Sequence, residues 1–445
     1  MRTSSSAFSR IRSNNFLKTC LASYCKSLSF RFILNFFILI SIWSVAFPTV
    51  FRKLYAEDGA LYLVDTYKFK FFGEFLQPAA GYSTLIMRIG ARFMRLLPLD
   101  YAPLLAATFA AICLAFLAAV VFEYSDNLVK KSGYRILLSG AMMFLPIASY
   151  AAVGNICNLY FFFMAAGAVL IYSEEIGRKR PFIKGITLSI AALSIPVCIF
   201  LLPLLVDRIY TDYVRSRKIV VKMSDWAWIV SMFAQFVFIV VTSLGEREPH
   251  SPQSPVKVFF LFLDRAVGSS LVPGWGFVSG SKAAPVFENS IFPHSLALRA
   301  MISGIVFIAV VALIWKTWSF GHSLLNHKRI VIFSLVVVYS AAIGLFFNPE
   351  PRYMVFPSFC FIWLTISTLS SITDRNSQRF VYLVGILLFL FSLRPSAQLS
   401  TGPNWETSLS DARTKCLVMA DTAMVQIRTL PISTDWHVTL PCGKL

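Results

Sequence analysis

With 445 residues, of which 57% are hydrophobic and only 14% charged, the chain has the composition of a polytopic membrane protein rather than of a multidomain soluble protein. Its net charge of +19 comes from 41 Lys and Arg residues against 22 Asp and Glu residues. No basic soluble segment interleaved with aromatic residues is present, so this excess predicts basic loops that set the topology and argues against a nucleic-acid partner.

The first 31 residues carry six Lys and Arg side chains before the first apolar run, so we expect a cytoplasmic N-terminal tail, residues 1–31. A membrane-crossing helix needs about 20 apolar residues at a rise of about 1.5 Å per residue. The apolar runs that qualify as candidates are residues 32–50, 101–122, 136–153, 159–172, 226–244, 298–315, 330–347, 353–371 and 380–393.

A further apolar segment, residues 185–206, contains Pro196 and Pro203 and lies between two basic loops. Both loops face the cytoplasm if the segment is a hairpin of two short helices broken near Pro196. The sequence therefore predicts an all-α polytopic membrane protein with about eleven transmembrane helices. The membrane domain spans residues 32–395 with long outer loops at 51–100 and 245–299, and a periplasmic tail, residues 396–445, follows it.

The acidic pair Glu57-Asp58 follows the first apolar run directly and has apolar residues on both sides. Because an exposed turn is unusual in such surroundings, we favour a functional role for the pair over a solvated turn. Further along the loop, Arg88, Arg92 and Arg95 follow at spacings of four and three, which predicts an amphipathic helix at the membrane interface. Arg88 and Arg92 could grip a lipid phosphate or form a snorkelling basic face, and Arg95 is expected to snorkel.

Short motifs occur along the chain in a particular order: AEDG at residues 56–59, GY at 81–82, GNICNLY at 154–160, SIP at 194–196 and NPEPRY at 348–353, followed by Pro357. Their order and sidedness resemble the GT-C superfamily, the integral-membrane glycosyltransferases that use polyprenyl-phosphate sugars. AEDG followed by GY also resembles the bacterial subset that includes phage-type O-antigen glucosyltransferases. The resemblance spans most of the chain in architecture and is carried by these short motifs.

The resemblance implies a donor sugar joined to a polyprenyl phosphate in the outer leaflet and an acidic general base in the first outer loop. That role falls to Asp58 or Glu57, with Asp58 preferred, and in-line attack then inverts the anomeric carbon. The best candidate for the donor phosphate is Arg352, beside Tyr353; the alternative for Arg352 is a snorkelling side chain paired with Glu350. Secondary candidates for donor binding are Lys53, Arg88, Arg92 and Arg265.

Two asparagines and one tryptophan complete the candidates for sugar recognition. Asn158 could bind sugar hydroxyls or make a structural hydrogen bond, whereas Asn155 is expected to be structural, as a helix cap or in an interhelical hydrogen bond. Trp275, in the glycine-rich second outer loop, could stack on a sugar ring or bury a lid on the bilayer.

The sequence indicates no metal site and no cofactor. His250 and His294 are isolated, and the eight cysteines contain no C-x-x-C pair. Some GT-C relatives use a divalent cation at the acidic loop, and this stays an alternative here. Cys416 and Cys442 are the only cysteines on the outside in the predicted topology, and a disulfide between them is expected in an oxidising compartment.

Together these features predict an inverting glycosyltransferase in a bacterial inner membrane. It would move a sugar, glucose by the nearest resemblance, onto a lipid-linked or polymeric cell-envelope glycan such as the O-antigen of lipopolysaccharide. The alternatives are a transporter or flippase for lipid-linked glycans and a non-catalytic member of an envelope complex. A transporter is disfavoured because the apolar runs are nearly free of charge and no internal repeat is evident.

Overall fold

The computed structural model describes residues 24, 27–70, 72–79, 81–145, 154–173, 180–242, 254–268, 270, 296–318, 323–346, 351–371, 379, 382–383, 385, 403–429 and 436–445. These residues form fourteen α-helices and one two-stranded sheet. The helices are α1 Leu28–Ala46, α2 Val64–Lys68, α3 Leu85–Met94, α4 Ala102–Tyr124, α5 Ser132–Met143, α6 Leu159–Tyr172, α7 Pro181–Ser194, α8 Leu202–Ser216, α9 Met223–Thr242, α10 Pro255–Phe262, α11 Leu296–Trp318, α12 Ser323–Phe346, α13 Val355–Ser370 and α14 Trp405–Cys416. The strands are β1 Met424–Arg428 and β2 His437–Pro441.

Six helical segments in the described part of the chain are long and apolar enough to cross a membrane. They are Leu28–Ala46, Leu99–Asn127, Met223–Thr242, Leu298–Trp315, His327–Leu345 and Arg352–Ser370; α6 and α7 are apolar but shorter. The chain is thus a polytopic all-α membrane protein, as its composition predicted. Residues 146–153 and most of 380–393, parts of two predicted runs, lie outside the described residues, so the total of eleven crossings stays a prediction.

Helix α4 is the centre of the helical packing. It contacts α1, α3, α5 and α6, and 78% of the residues in its 18-residue apolar stretch are buried inside the protein. The helix is rich in alanine, and small side chains let neighbouring helices approach closely, which stabilises helix association inside a bilayer. The first helix begins and ends about four residues earlier than the predicted run at 32–50. It ends at Ala46 because Pro48 begins a separate 3-10 turn.

The proline-broken hairpin is confirmed. Helix α7 ends at Ser194, Ile195 is extended, and Pro196 begins a 3-10 turn that leads into α8. Proline has no backbone N–H to continue the helix, which explains the position of the break. The hydroxyl of Ser194 accepts a hydrogen bond of 3.1 Å from the backbone N–H of Ile86, which ties the tip of the hairpin to α3.

Both ends of this hairpin return to the same face of the molecule. The Tyr124 hydroxyl at the end of α4 donates to the carbonyl of Arg180 at 2.8 Å, just before the hairpin. The Tyr172 hydroxyl at the end of α6 donates to the carboxylate of Asp207 at 2.8 Å, in the returning helix. We call this the distal face; the first outer loop, the turn at residues 154–158 and the turn at residues 351–354 meet on the other, the site face.

A small cap formed by residues 403–429 and 436–445 lies on the site face. The Trp405 indole N–H donates to the Leu99 carbonyl at 2.9 Å, and Arg413 makes a bidentate ion pair with Asp100 at 2.6 and 2.8 Å. Strands β1 and β2 pair antiparallel with Met424 opposite Pro441. This hairpin was not predicted from the sequence, because each strand has only five residues and so gives a very short alternating pattern.

Candidate active site

The acidic pair lies at the start of a π-helical segment on the site face. Glu57 is the residue before this segment, Asp58–Leu63, which continues into α2. A π-helical turn holds an extra residue and re-aims the side chains around it, and such turns are frequent at functional sites. The sequence thus placed the pair on a loop, whereas the structure places it at a helix entry.

Asp58 is held by the backbone of a distant turn. Its Oδ2 accepts from the N–H of Ile156 at 2.8 Å and its Oδ1 accepts from the N–H of Cys157 at 2.7 Å, and the side chain is only 1% exposed. Burial raises the pKa of Asp58 to about 8, although the two N–H donors act in the opposite direction, and the charge of Glu57 adds to the rise. Asp58 therefore fixes the first outer loop to the turn before α6.

Glu57 is the more accessible carboxylate of the pair. Its Oε1 lies 2.8 Å from Nη1 of Arg352, and the two side chains are 19% and 23% exposed. Arg352 comes from the 3-10 turn Pro351–Met354 before α13, so the contact joins residues separated by 295 positions in the sequence. Its predicted alternative partner, Glu350, lies outside the described residues. The fold has brought Glu57, one of the two predicted bases, next to Arg352, the best candidate for the donor phosphate.

Aromatic rings and a thiol surround the pair formed by Glu57 and Arg352. Tyr353 packs with its ring edge-on to Phe161, at a centroid distance of 5.5 Å. Tyr62 is buried, and burial together with the nearby Cys157 and Tyr82 raises its phenol pKa well above the usual range. Burial and the charge of Glu57 raise the pKa of the Cys157 thiol, which therefore stays protonated and donates to Glu57.

Arg88 and Arg92 are both engaged with the first outer loop. Buried Arg88 donates to Asp65 Oδ2 at 2.6 Å and to the Gln77 carbonyl at 3.2 Å, and its guanidinium lies 5.2 Å from the centre of the Tyr62 ring. These contacts attach α3 to the residues that follow the acidic pair.

Arg92 lies one turn farther along α3 than Arg88, and Arg95 directly follows the end of the helix. Arg92 pairs with Glu74, and Arg95 donates to the Thr66 carbonyl and lies 4.3 Å from the centre of the Tyr67 ring. The arginine side of α3 therefore contacts the protein's own loop, where the sequence predicted an interfacial basic face.

The remaining donor-binding candidates lie around the same region. Half-buried Lys53 precedes the acidic pair, and burial lowers the pKa of its ammonium group. Arg265 is half-buried in a second π-helical segment, Leu263–Gly268, which packs against the turn that carries Arg352. Asn158 is 1% exposed at the start of α6, and Oδ1 of Asn155 accepts from the Cys157 N–H at 2.8 Å. Asn155 thus has the local structural contact that was expected.

Within the described residues, no group of three or more His, Cys, Asp or Glu side chains is arranged to hold a metal ion. His250, His294 and Trp275 lie outside the described part of the chain.

The cap packs directly on the π-helical segment Asp58–Leu63. A disulfide joins Cys416 at the end of α14 to Cys442 after β2, with the two Cα atoms 5.4 Å apart. A Cβ on Gly59 would lie 2.8 Å from Leu54 Cδ2 and 2.8 Å from Val438 Cγ2 in β2. A larger residue after Asp58 would therefore push Leu54 or Val438 away from its present position.

Three residues of this arrangement were missed from the sequence: Tyr62, Cys157 and Val438. Tyr62 carried a usable signal, because a position four residues after Asp58 falls on the same side of a helix. Val438 carried none, since its contact depends on how the cap docks.

No protein-family model matches the chain, and no curated protein matches it. Among solved structures, it is similar to the crystal structure of ArnT from Cupriavidus metallidurans bound to undecaprenyl phosphate. The two chains share 10% sequence identity, the alignment covers 87% of this chain and 81% of ArnT, and the TM-score is 0.46. By its own helices and contacts, the chain is a multi-pass membrane protein with an acidic pair and an arginine gathered on one face.

Proposed function

We propose that the chain is a GT-C-type glycosyltransferase of the bacterial inner membrane. It transfers a sugar, glucose by the nearest resemblance, from a polyprenyl-phosphate donor to a lipid-linked or polymeric cell-envelope glycan such as O-antigen. The reaction takes place at the site face, which is periplasmic in this proposal, with the N-terminus in the cytoplasm and the C-terminus in the periplasm.

The observation that supports this most is the meeting of Glu57 and Arg352 at 2.8 Å beside buried Asp58. Transfer from a sugar phosphate needs a carboxylate to take the proton of the acceptor hydroxyl and a cation to stabilise the departing phosphate. Both groups are present, and they approach one another although they are far apart in the sequence. Tyr353 offers an aromatic surface next to them, which suits a sugar ring.

The chemistry of the step follows from these groups. The acceptor oxygen forms a bond to the anomeric carbon while the bond from that carbon to the phosphate oxygen breaks. The electron pair of the broken bond stays on the phosphate, whose added charge Arg352 stabilises, and the acceptor proton passes to the acidic pair. Attack opposite the leaving group inverts the anomeric configuration.

The proposal includes no metal or other cofactor, so we expect EDTA to leave the transfer rate unchanged. It is also distinct from a lipid-linked glycan transporter, which would move its substrate without forming a glycosidic bond. A non-catalytic envelope protein would leave the surface glycan unmodified in every variant.

Mass spectrometry of surface polysaccharide tests the proposal. Cells lacking the gene are complemented with the wild-type chain, Glu57→Gln, Asp58→Asn, Arg352→Gln or, as a matched control on the cap, Glu406→Gln, whose side chain is exposed. We expect the wild type and Glu406→Gln to restore the added hexose, and the other three to reduce transfer by about 100-fold or more. Persistent transfer in both carboxylate variants, at normal expression, would show that this pair is not the base.

A further inference from the structure

The ion pair between Glu57 and Arg352 places the two groups that the reaction needs in contact with each other. The guanidinium occupies one of the carboxylate oxygens, so an acceptor hydroxyl cannot approach that oxygen. The carboxylate in turn neutralises the cation that a donor phosphate would contact. In this arrangement neither group is ready for the reaction.

We propose that the donor phosphate displaces Glu57 from Arg352, so that Glu57 becomes the general base only when the donor is bound. This inference rests on the proposed function and assigns separate roles to the two carboxylates. Glu57 is the catalytic residue, and Asp58 is a positioning residue that holds the segment in place.

The surroundings of Asp58 support this division. Its side chain is 1% exposed and both oxygens accept backbone N–H groups, at 2.8 and 2.7 Å, so an acceptor hydroxyl has no direct approach. Glu57, the preceding residue, keeps 19% of its side chain exposed. Asp58 was the preferred base on sequence grounds; the contacts favour Glu57.

Arg352 has the chemistry that the exchange requires. It lies at the start of a membrane-spanning helix, 23% exposed, and its planar guanidinium binds phosphate oxygens in pairs. A sugar phosphodiester carries one negative charge and the polyprenyl phosphate product carries more, so the cation is held most tightly as the bond to the sugar breaks. After the product leaves, Glu57 releases the acceptor proton to water and pairs with Arg352 again.

Binding of a lipid phosphate to the purified full chain tests the exchange without requiring the acceptor. The probe is geranylgeranyl phosphate, titrated against the protein in nanodiscs, with inorganic phosphate as a second probe. Because a neutral glutamine side chain would not compete for the cation, we expect Glu57→Gln to bind the lipid phosphate about three- to tenfold more tightly than the wild type. Arg352→Gln should bind about tenfold more weakly, and adding Glu57→Gln to it should restore nothing.

The controls distinguish the proposed exchange at Arg352 from the proposed function. Glu406→Gln should leave lipid-phosphate affinity at the wild-type value, and Glu57→Gln should combine tighter binding with lost transfer. If Glu57→Gln binds no more tightly while Arg352→Gln still weakens binding, the exchange is wrong and the proposed function stands. If the wild type does not bind the lipid phosphate, or binds inorganic phosphate equally well, the lipid donor itself is wrong.

Discussion

At the scale of single residues, the ionisation of Asp58 should make stability depend on pH. Burial raises the pKa of this carboxyl to about 8, so the folded protein binds the proton more tightly than the unfolded chain does. Stability contributed at this site is therefore present at low pH and is lost as pH rises from about 4 to about 8. The loss continues across this window because the unfolded chain is already ionised there while the folded protein still binds the proton.

Thermal melting in nanodiscs between pH 5 and pH 9 measures this effect. The wild type should melt at lower temperature as the pH rises, and Asp58→Asn should lack that component of the slope. Glu406→Gln, which removes an exposed carboxylate, should retain the wild-type slope. Parallel slopes for the wild type and Asp58→Asn would contradict the assignment.

Gly154 is the second residue whose replacement should disturb the acidic pair. It begins the turn whose N–H groups hold Asp58, its φ is +70°, and a Cβ there would lie 2.3 Å from Val50 Cγ1. Gly154→Ala adds about 1–2 kcal/mol for the left-handed backbone as well as the clash. We expect a lower melting temperature and reduced transfer.

Gly140 provides the matched control for this substitution. It lies in α5, and a Cβ there would meet nothing within 4 Å. Gly140→Ala should be neutral or stabilising, by up to about 1 kcal/mol, because alanine favours a helix. An equal loss of melting temperature in both variants would contradict the proposed role of the turn.

Residue types predicted part of the site. Glu57 and Asp58 stood out because placing a carboxylate in apolar surroundings costs free energy, so such residues usually have a function. The ion pairs of Arg88 and Arg92 could not be predicted, since Asp65 and Glu74 are ordinary loop charges until the loop folds back on α3. Local spacing placed the three arginines on one side of a helix but could not show which surface that side meets.

At the scale of elements, the hairpin of α7 and α8 predicts the sidedness of several exposed positions. Arg180 and Lys218 flank the hairpin on the distal face, and Arg428 lies in β1 of the cap on the site face; all three are exposed. In a background with Cys20 and Cys25 replaced by serine, we introduce Arg180→Cys, Lys218→Cys or Arg428→Cys. A membrane-impermeant thiol reagent should label the first two in inside-out vesicles and the third in right-side-out vesicles.

The outcome of this labelling decides between two topologies. If Arg180→Cys and Lys218→Cys react from opposite sides, the segment crosses the membrane once and the hairpin is wrong. The hairpin could be predicted because both of its causes are local in the sequence, namely a proline without an N–H and basic loops on each side. Helix ends were less predictable, as α1 shows, since a hydrophobic run does not mark where a proline turn begins.

At the scale of the whole molecule, the cap links the end of the chain to the first outer loop. Trp405 and Arg413 attach it beside α4, and Val438 reaches Gly59 next to the acidic pair. Nothing local in the sequence signals these contacts, because each one joins segments more than 300 residues apart. The cap therefore supports the site from outside the membrane domain, and its own stability should affect transfer.

The disulfide between Cys416 and Cys442 is the feature of the cap that can be removed most cleanly. It closes a segment with a sequence separation of 26 residues, for which loop-closure entropy predicts a stabilisation of about 3–4 kcal/mol. A double variant, Cys416→Ser with Cys442→Ser, should therefore lose cap structure at lower temperature. The packing of Val438 on Gly59 would weaken with it, so transfer should fall more steeply with temperature than in the wild type.

A reducing agent provides the control for this prediction. Dithiothreitol should give the wild type the temperature profile of the double variant and should leave the double variant unchanged. The free cysteines among the described residues are all buried, so reduction has no other disulfide to open there. The double variant could instead show the wild-type dependence of transfer on temperature although protease cleaves its cap more readily. In that case the disulfide stabilises the cap, but the acidic pair does not depend on the cap.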